Sequence, residues 1–234
     1  MPSYYSYFDG YSIYLLTMIP ALLISLYAQI RVKSSFAKYS ARACSFTGAQ
    51  AAQRILAANG LSGVRIERVS GNLTDHYDPK TNVIRLSESV FHAANIAAVG
   101  VAAHEVGHAI QYAKGYAPIR VRAAILPVCQ LGSQLSMPLL LLGIVFSFPA
   151  LIELGILFFC VALLFQLITL PVEFNASRRA LASIREIGIF HEESAVSGVR
   201  RVLTAAAMTY VASVVVSLLQ LVRLLALAGR GRRR

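Results

Sequence analysis

Four long stretches with almost no charged side chain constrain the fold of this chain more than any other feature. Residues 11–30, 126–148 and 202–222 carry no charge, and residues 150–170 carry only Glu153. A helix needs about 20 apolar residues to cross the hydrocarbon core of a bilayer. The pattern therefore predicts a mainly α-helical membrane protein with about four transmembrane helices, the middle two forming a hairpin.

The composition supports a lipid-facing surface. Hydrophobic residues make up 56% of the chain and charged residues 14%, whereas soluble domains carry about 25% charged residues. The net charge is +11, but the basic residues flank the apolar stretches, which indicates topology signals and contacts to anionic lipid, and not nucleic acid. Cys44, Cys129 and Cys160 form no Cys-x-x-Cys pair, so we expect reduced, buried thiols.

The distribution of Lys and Arg predicts the orientation. Residues 31–125 contain 12 of them, residues 172–201 contain 5, and the chain from Arg223 onward contains 5. Four spans place the two larger segments on one side, which the positive-inside rule makes the cytoplasm of a cell inner (plasma) membrane. The C-terminal arginines oppose this arrangement, so either the last helix does not fully cross or the tail is exported. The first span has no Lys or Arg before it, and we expect a retained anchor and not a cleaved signal peptide.

The segment between the first two spans is predicted to form a small α+β region. Helical spacing of apolar residues ends at Gly60, and residues 64–69 and 83–86 have the character of short strands. A turn signature at residues 78–82 joins them into a predicted β-ribbon. Ser89 is the expected N-cap of the following helix, and Gly115 its expected end.

That helix carries the sequence His104-Glu105-Val106-Gly107-His108. Side chains four residues apart lie on one face of a helix, so two imidazoles can bind one Zn²⁺ with Glu105 beside it. The alternative is a pair of solvated or internally bonded imidazoles. We favour metal binding, because the flanks are apolar and a buried Glu105 needs a compensating charge.

A catalytic zinc site needs a third protein ligand. Glu173 has the best setting, since it follows the third span directly and Pro171 suits the first turn of a new helix. The alternative role for Glu173 is an interfacial pair with Arg178 or Arg179. The other candidates for the third ligand are His76, Glu186, His191, Glu192 and Glu193.

Four motifs in this order resemble the YugP-type neutral zinc metallopeptidases of bacterial membranes. They are His104-Glu-Val-Gly-His-Ala-Ile-Gln111, Gly115-Tyr-Ala-Pro118, Leu170-Pro-Val-Glu-Phe-Asn-Ala-Ser177 and Leu73-Thr-Asp-His-Tyr-Asp-Pro79. The resemblance covers nearly the whole chain. It implies a membrane-embedded, gluzincin-like peptidase in which His104, His108 and Glu173 bind one Zn²⁺ and Glu105 is the general base. Related membrane gluzincins favour an acid at the position of Ser177, and Asn175 is the candidate hydrogen-bonding substitute.

The resulting expectation is a zinc-dependent endopeptidase with a small zincin-like α+β catalytic part. A metal-bound water would attack the peptide bond, and Glu105 would move the protons. His76, Tyr77, Tyr112 and His191 are the candidates for stabilising the oxyanion. The expected segments are a transmembrane anchor (1–30), a zincin-like segment with the His-Glu helix (31–125), a transmembrane hairpin (126–171), a helix with the third ligand (172–201), and a last transmembrane helix with a basic tail (202–234).

Substrate binding is expected at a strand edge. An exposed edge over residues 82–87 could pair with an extended protein or peptide substrate. Gly107, Gly143 and Gly155 are expected to allow close helix packing. The expected partners are this substrate, the lipid bilayer and other membrane proteins. Two alternatives remain: a site-2-like intramembrane protease whose His-Glu helix lies in the bilayer, and a non-catalytic scaffold that zinc stabilises.

Overall fold

The computed structural model of the protein describes the backbone of residues 4–231 and the side chains of residues 15–229. The fold is mainly helical, with one small sheet. The side chains of residues 11–14 in the first expected span, and of the basic tail 230–234, lie outside the described residues. The helices are α1 (Tyr4–Ser40), α2 (Gly48–Ala58), α3 (Glu88–Phe91), α4 (Ile96–Ala113), α5 (Ala117–Val145), α6 (Pro149–Glu186) and α7 (Glu193–Gly231).

Four of the described helices are long and apolar enough to cross a membrane, which agrees in number with the four predicted spans. The candidate spans are Leu15–Ser40, Ala117–Val145, Pro149–Glu186 and Glu193–Gly229. The His-Glu helix α4 is not among them. It is buried almost entirely by protein, which does not favour a position in the bilayer.

The chain forms two compact units, each of which is discontinuous in sequence. We call the first the apolar unit; it comprises Val121–Thr169 and the described parts of residues 1–28 and 209–234. We call the second the mixed unit; it comprises Gln29–Arg120 and Leu170–Met208, and it contains the sheet.

The apolar unit contains the helical hairpin that the sequence predicts. Helices α5 and α6 are joined by residues 146–148. A Cβ added at Gly155 would lie 2.7 Å from Cγ of Leu140, and one at Gly143 would lie 2.6 Å from Cγ1 of Ile152. Real Cβ atoms do not approach so closely, so these glycines permit the packing of α5 against α6. Their predicted packing role is confirmed.

The mixed unit has a three-stranded sheet in the order β1-β3-β2. Strands β1 (Arg65–Val69) and β3 (Val83–Ser87) agree with the predicted strands. They pair in parallel and not as a ribbon, and β2 (His76–Asp78), which the sequence analysis did not predict, pairs antiparallel with β3. The prediction of an exposed edge over residues 82–87 is wrong, because β3 is the central strand and neighbours bond both of its edges.

Side-chain caps set the boundaries of the shorter helices. Thr47 and Gln50 form a reciprocal capping box at the start of α2. Helix α4 begins after Asn95, whose Oδ1 accepts a hydrogen bond from the Ala98 N–H at 2.8 Å. The predicted N-cap at Ser89 is wrong, because that residue lies inside the separate one-turn helix α3. Gly115, with φ +65°, ends α4 as predicted.

Helix α6 runs through Pro171 without a break. The prediction that Pro171 opens a new helix is therefore wrong. A proline removes one backbone hydrogen bond of a helix, and the long helical segments on either side maintain the conformation. The continuous helix places Glu173 one turn beyond Thr169, where the apolar unit ends.

The core of the mixed unit surrounds α4. Small side chains on α4 let neighbouring elements approach closely, and a Cβ added at Gly100 would lie 3.1 Å from Cγ1 of Val199 on α7. Core residues with no exposed surface come from α2, β3, α4, α6 and α7; they include Ile55, Ile84, Leu86, Val99, Val106, Ile184 and Val199.

Candidate metal centre

Helix α4 presents both histidines on one face. His104 and His108 are one turn apart, and their ring centroids lie 4.8 Å apart with the planes nearly perpendicular. This is the arrangement expected from a spacing of four residues in a helix. The two imidazoles therefore reach the same point in space.

Glu173 on α6 meets the two imidazoles at that point. Its Oε2 lies 3.2 Å from Nε2 of His104 and 3.7 Å from Nε2 of His108. One donor atom from each of the three residues lies within 4.8 Å of the others. Two imidazole nitrogens and one carboxylate oxygen form a donor set that zinc prefers, and Zn–N and Zn–O bonds are about 2.0–2.2 Å long. The residues present fit one zinc ion.

A glycine inside the motif makes this convergence possible. A Cβ added at Gly107 would lie 2.5 Å from the backbone oxygen of Ala176 on α6. Such a contact with rigid backbone would force α4 and α6 apart. Gly107 faces the turn of α6 that carries Glu173, so the predicted packing role of this glycine is confirmed.

Each histidine is also held through its second nitrogen. Nδ1 of His104 lies 3.1 Å from Oγ of Ser177, and Nδ1 of His108 lies 3.0 Å from Oε1 of Gln111. Both Nε2 atoms are therefore left to face Glu173. Metal-binding histidines are commonly oriented by such a bond on the other ring nitrogen.

The electrostatic field of the nearby carboxylates favours a cation between the two histidines and Glu173. Burial works against the charged form of His108, but the hydrogen bond to Glu173 and the nearby charge of Glu105 outweigh it, so the pKa of His108 is raised. The same negative groups that favour a proton on this imidazole favour a divalent ion between the three side chains.

Glu105 lies next to the first histidine but is not part of the three-residue cluster. Its exposed fraction is 8%. Among the side chains of residues 15–229, none forms a hydrogen bond or an ion pair with its carboxylate. A buried carboxylate without such a partner is available to bind a water molecule and to accept its proton.

The remaining candidates for the third ligand do not join the cluster among the residues that the structure describes. Glu193 forms an ion pair with Arg185 at 2.6 Å, and Glu192 accepts a hydrogen bond from Ser194. The exposed candidates are His76, Glu186, His191, Glu192 and Glu193. Arg179 was a candidate ion-pair partner of Glu173 in the alternative interfacial role of that residue. In the structure its Nε donates to Oδ1 of Asn175 at 2.7 Å.

Two tyrosines lie close together beside the mixed unit's sheet. Tyr112 is one turn beyond His108 on α4, and its ring centroid is 5.7 Å from that of Tyr77 on β2. The Tyr77 hydroxyl donates to Oδ1 of Asn82 at 2.8 Å. Burial raises the pKa of Tyr77. Among the candidates for stabilising the oxyanion, Tyr112 lies on the same face of α4 as the two histidines. Its role in the reaction stays a prediction.

The sequence analysis missed Gln111 and named Asn175 as the hydrogen-bonding substitute for an acid at position 177. Ser177 itself contacts His104, whereas Asn175 contacts Gln111. The spacing of Gln111, three residues after His108, could have revealed it, because residues three apart on a helix are neighbours. Its buried partners on α6 could not be read from local sequence.

The fold and the donor geometry define a class: a helical membrane protein with a candidate metal site of two histidines and one glutamate. The chain belongs to the family described as "Putative neutral zinc metallopeptidase", whose model matches residues 14–229. It is 47% identical over 222 residues to "Putative membrane protease YugP" of Bacillus subtilis (strain 168). The aligned region covers 94% of this chain and 98% of that protein. No solved structure gives a significant match. Family membership supports a protease function, zinc as the metal, and a location in a membrane.

Proposed function

We propose that the protein is a membrane-embedded, zinc-dependent endopeptidase with a zincin-like catalytic part. His104, His108 and Glu173 hold one zinc ion, and Glu105 is the general base. The observation that carries this proposal is the convergence of three donor atoms within 4.8 Å, next to a carboxylate that no described side chain pairs with.

The chain's own residues supply the proton transfers and the positioning. Zinc held by His104, His108 and Glu173 would supply a Lewis acid and would lower the pKa of an attacking water to roughly 7. Glu105 accepts a proton from the attacking water and later delivers it to the leaving amine. Gly107 keeps the two ligand-bearing helices close enough for Glu173 to reach the histidines.

We propose that the site faces the cytoplasm from the inner membrane. The segments 31–125 and 172–201 are separated along the chain by two apolar runs, 126–148 and 150–170, so two crossings would return the chain to the same side. These two segments contain most of the Lys and Arg of the chain, which favours the cytoplasmic side. Substrates would be proteins or peptides that reach this membrane face.

Two alternative functions receive less support. An intramembrane protease would need α4 in the bilayer, but α4 is enclosed by the mixed unit and is not a candidate span. A zinc-stabilised scaffold has no need of a carboxylate beside the first ligand, yet Glu105 is buried there without a described partner.

The test separates metal binding from catalysis. In the detergent-purified full chain, Glu105→Gln should retain about one zinc and lose hydrolysis of a peptide library by roughly 100- to 10,000-fold. The matched control is Glu88→Gln, which alters an exposed ion pair with Arg68 and should leave both quantities unchanged. Cleavage by Glu105→Gln at the parent rate would refute the general-base role, and chelator-resistant cleavage would refute the zinc mechanism.

A further inference from the structure

We propose that Gln111 is a positioning residue that fixes the tautomer and the orientation of His108, and that Asn175 and Arg179 hold Gln111 in place. The inference rests on the proposed function, because His108 acts as a zinc ligand there. It concerns a chain of hydrogen bonds that runs from the surface of α6 to the histidine on α4.

The orientation of the Gln111 amide follows from its partners. Its Nε2 lies 2.8 Å from the backbone oxygen of Val172, an atom that can only accept a hydrogen bond. The group facing Val172 must therefore be the NH₂. The same NH₂ donates to Oδ1 of Asn175 at 3.0 Å.

The orientation of Asn175 is fixed in the same way. Nε of Arg179 can only donate, and it lies 2.7 Å from Oδ1 of Asn175. This oxygen thus accepts from both Arg179 and Gln111. The Gln111 and Asn175 amides therefore each have one orientation, and the two orientations are mutually consistent.

The orientation of the Gln111 amide determines the tautomer of His108. Oε1 of Gln111 accepts only and lies 3.0 Å from Nδ1 of His108, so Nδ1 must carry a hydrogen. In the neutral ring Nε2 then has its lone pair free and directed toward Glu173. A zinc ligand needs this form of the imidazole.

His104 has no comparable constraint. Its Nδ1 contacts the hydroxyl of Ser177, and a hydroxyl can donate or accept. One ligand histidine is therefore held by an amide with a fixed direction and the other by an adaptable hydroxyl. We expect the site to depend more strongly on Gln111 than on Ser177.

The burial of Gln111 indicates that its hydrogen bonds are required. It has no exposed surface, and a buried amide is costly unless its polar atoms are paired. It also joins α4 to α6, the two helices that carry the ligands. A purely structural tie between these helices is the competing explanation, and the experiment must separate the two roles.

The experiment uses the full-length protein in detergent and measures three quantities: zinc affinity by chelator competition, the absorption spectrum of the Co²⁺-loaded protein, and the melting temperature without metal. Gln111→Met keeps the approximate volume and removes the hydrogen bonds. We expect zinc affinity to fall about 10- to 100-fold and the Co²⁺ spectrum to change. Ser177→Ala should have a smaller effect on both.

The matched structural control is Asn59→Leu. Asn59 donates to Oγ of Ser183 and to the backbone of Ile55, so it joins α2 to α6 away from the site. This variant should lower the metal-free melting temperature and leave zinc affinity unchanged. If Gln111→Met behaves like this control, with zinc affinity within about twofold of the parent, the positioning role is overturned.

A second pair of variants tests the chain if Gln111→Met does not fold. Among the described residues, Gln111 and Arg179 both bond to Oδ1 of Asn175, so Asn175→Asp should retain zinc affinity, whereas Asn175→Leu should weaken it. Equal affinities in these two variants would overturn the proposal. The parent and Glu173→Ala serve as the reference: if the parent binds no zinc, or Glu173→Ala binds as tightly as the parent, the proposed function fails and not merely this inference.

Discussion

The mixed unit and the apolar unit bury their side chains in different ways. In the mixed unit, helix α4 is enclosed by other elements, and many core side chains have no exposed surface. In the apolar unit, large side chains such as Leu131, Val145 and Leu157 are more than half exposed. The mixed unit can supply its own core, whereas the apolar unit leaves a surface that requires lipid.

The buried carboxylates and imidazoles follow the same division. In the described chain they belong to Glu105, His108 and Glu173, and all three residues lie in the mixed unit. The burial of such groups is costly, and the hydrogen bond between His108 and Gln111 and the contacts of Glu173 with both histidines offset that cost. The interior of the mixed unit thus contains a cluster of ionisable groups, whereas the buried polar side chains of the apolar unit, Ser136 and Thr169, are hydroxyls that donate to helix backbone oxygens.

Leucine-to-alanine substitutions in the two units should differ most in their effect on stability. Leu86 has no exposed surface and Leu131 is 61% exposed. Leu86→Ala should destabilise the mixed unit by about 2–5 kcal/mol, and Leu131→Ala should change stability by less than about 0.5 kcal/mol. Denaturant unfolding of the detergent-purified protein measures both. Similar costs for the two variants would show that Leu131 is packed against protein.

The next effect concerns the contact between α4 and α6 at the metal centre. Gly107→Ala places a methyl group against the backbone oxygen of Ala176, which should cost about 1–3 kcal/mol. It should also lower zinc affinity, because Glu173 moves away from the histidines. Gly63→Ala is the control, since a Cβ there meets nothing within 4 Å. Undiminished zinc affinity in Gly107→Ala would contradict the role given to this close approach.

The smallest effect is expected within the apolar unit. Gly155→Ala should lower the melting temperature, because its Cβ would lie 2.7 Å from Leu140. Gly132→Ala is the matched control on the partner helix, since its Cβ would lie 3.5 Å from the backbone oxygen of Phe158. We expect a difference of about 1 kcal/mol between them. A Gly132 variant that is less stable than the Gly155 variant would refute the predicted packing.

Features with a local cause could be predicted from the sequence. Charge-free runs identified the four apolar helices, and the spacing of His104 and His108 identified a shared helix face. The strands β1 and β3 followed from alternation and from turn residues. Glu173 could be favoured because it directly follows the third apolar run.

Features with a tertiary cause could not be predicted. Strand β2 is only three residues long and is defined by its pairing with β3. Asn95 and not Ser89 begins the His-Glu helix, although both residue types are good caps. Pro171 resembles a helix start, but the surrounding helix α6 continues through it. The position of Gln111 between His108 and α6 depends on how two distant segments pack.

Zinc K-edge X-ray absorption on the detergent-purified, zinc-loaded full chain tests the central claim most directly. Two imidazole nitrogens from His104 and His108 and oxygen from Glu173 and water should appear at about 2.0–2.2 Å, with no sulfur contribution. Glu173→Ala should lose an oxygen neighbour and keep the imidazole signal. A sulfur shell at about 2.3 Å, or a spectrum without imidazole, would contradict the assignment of these three residues.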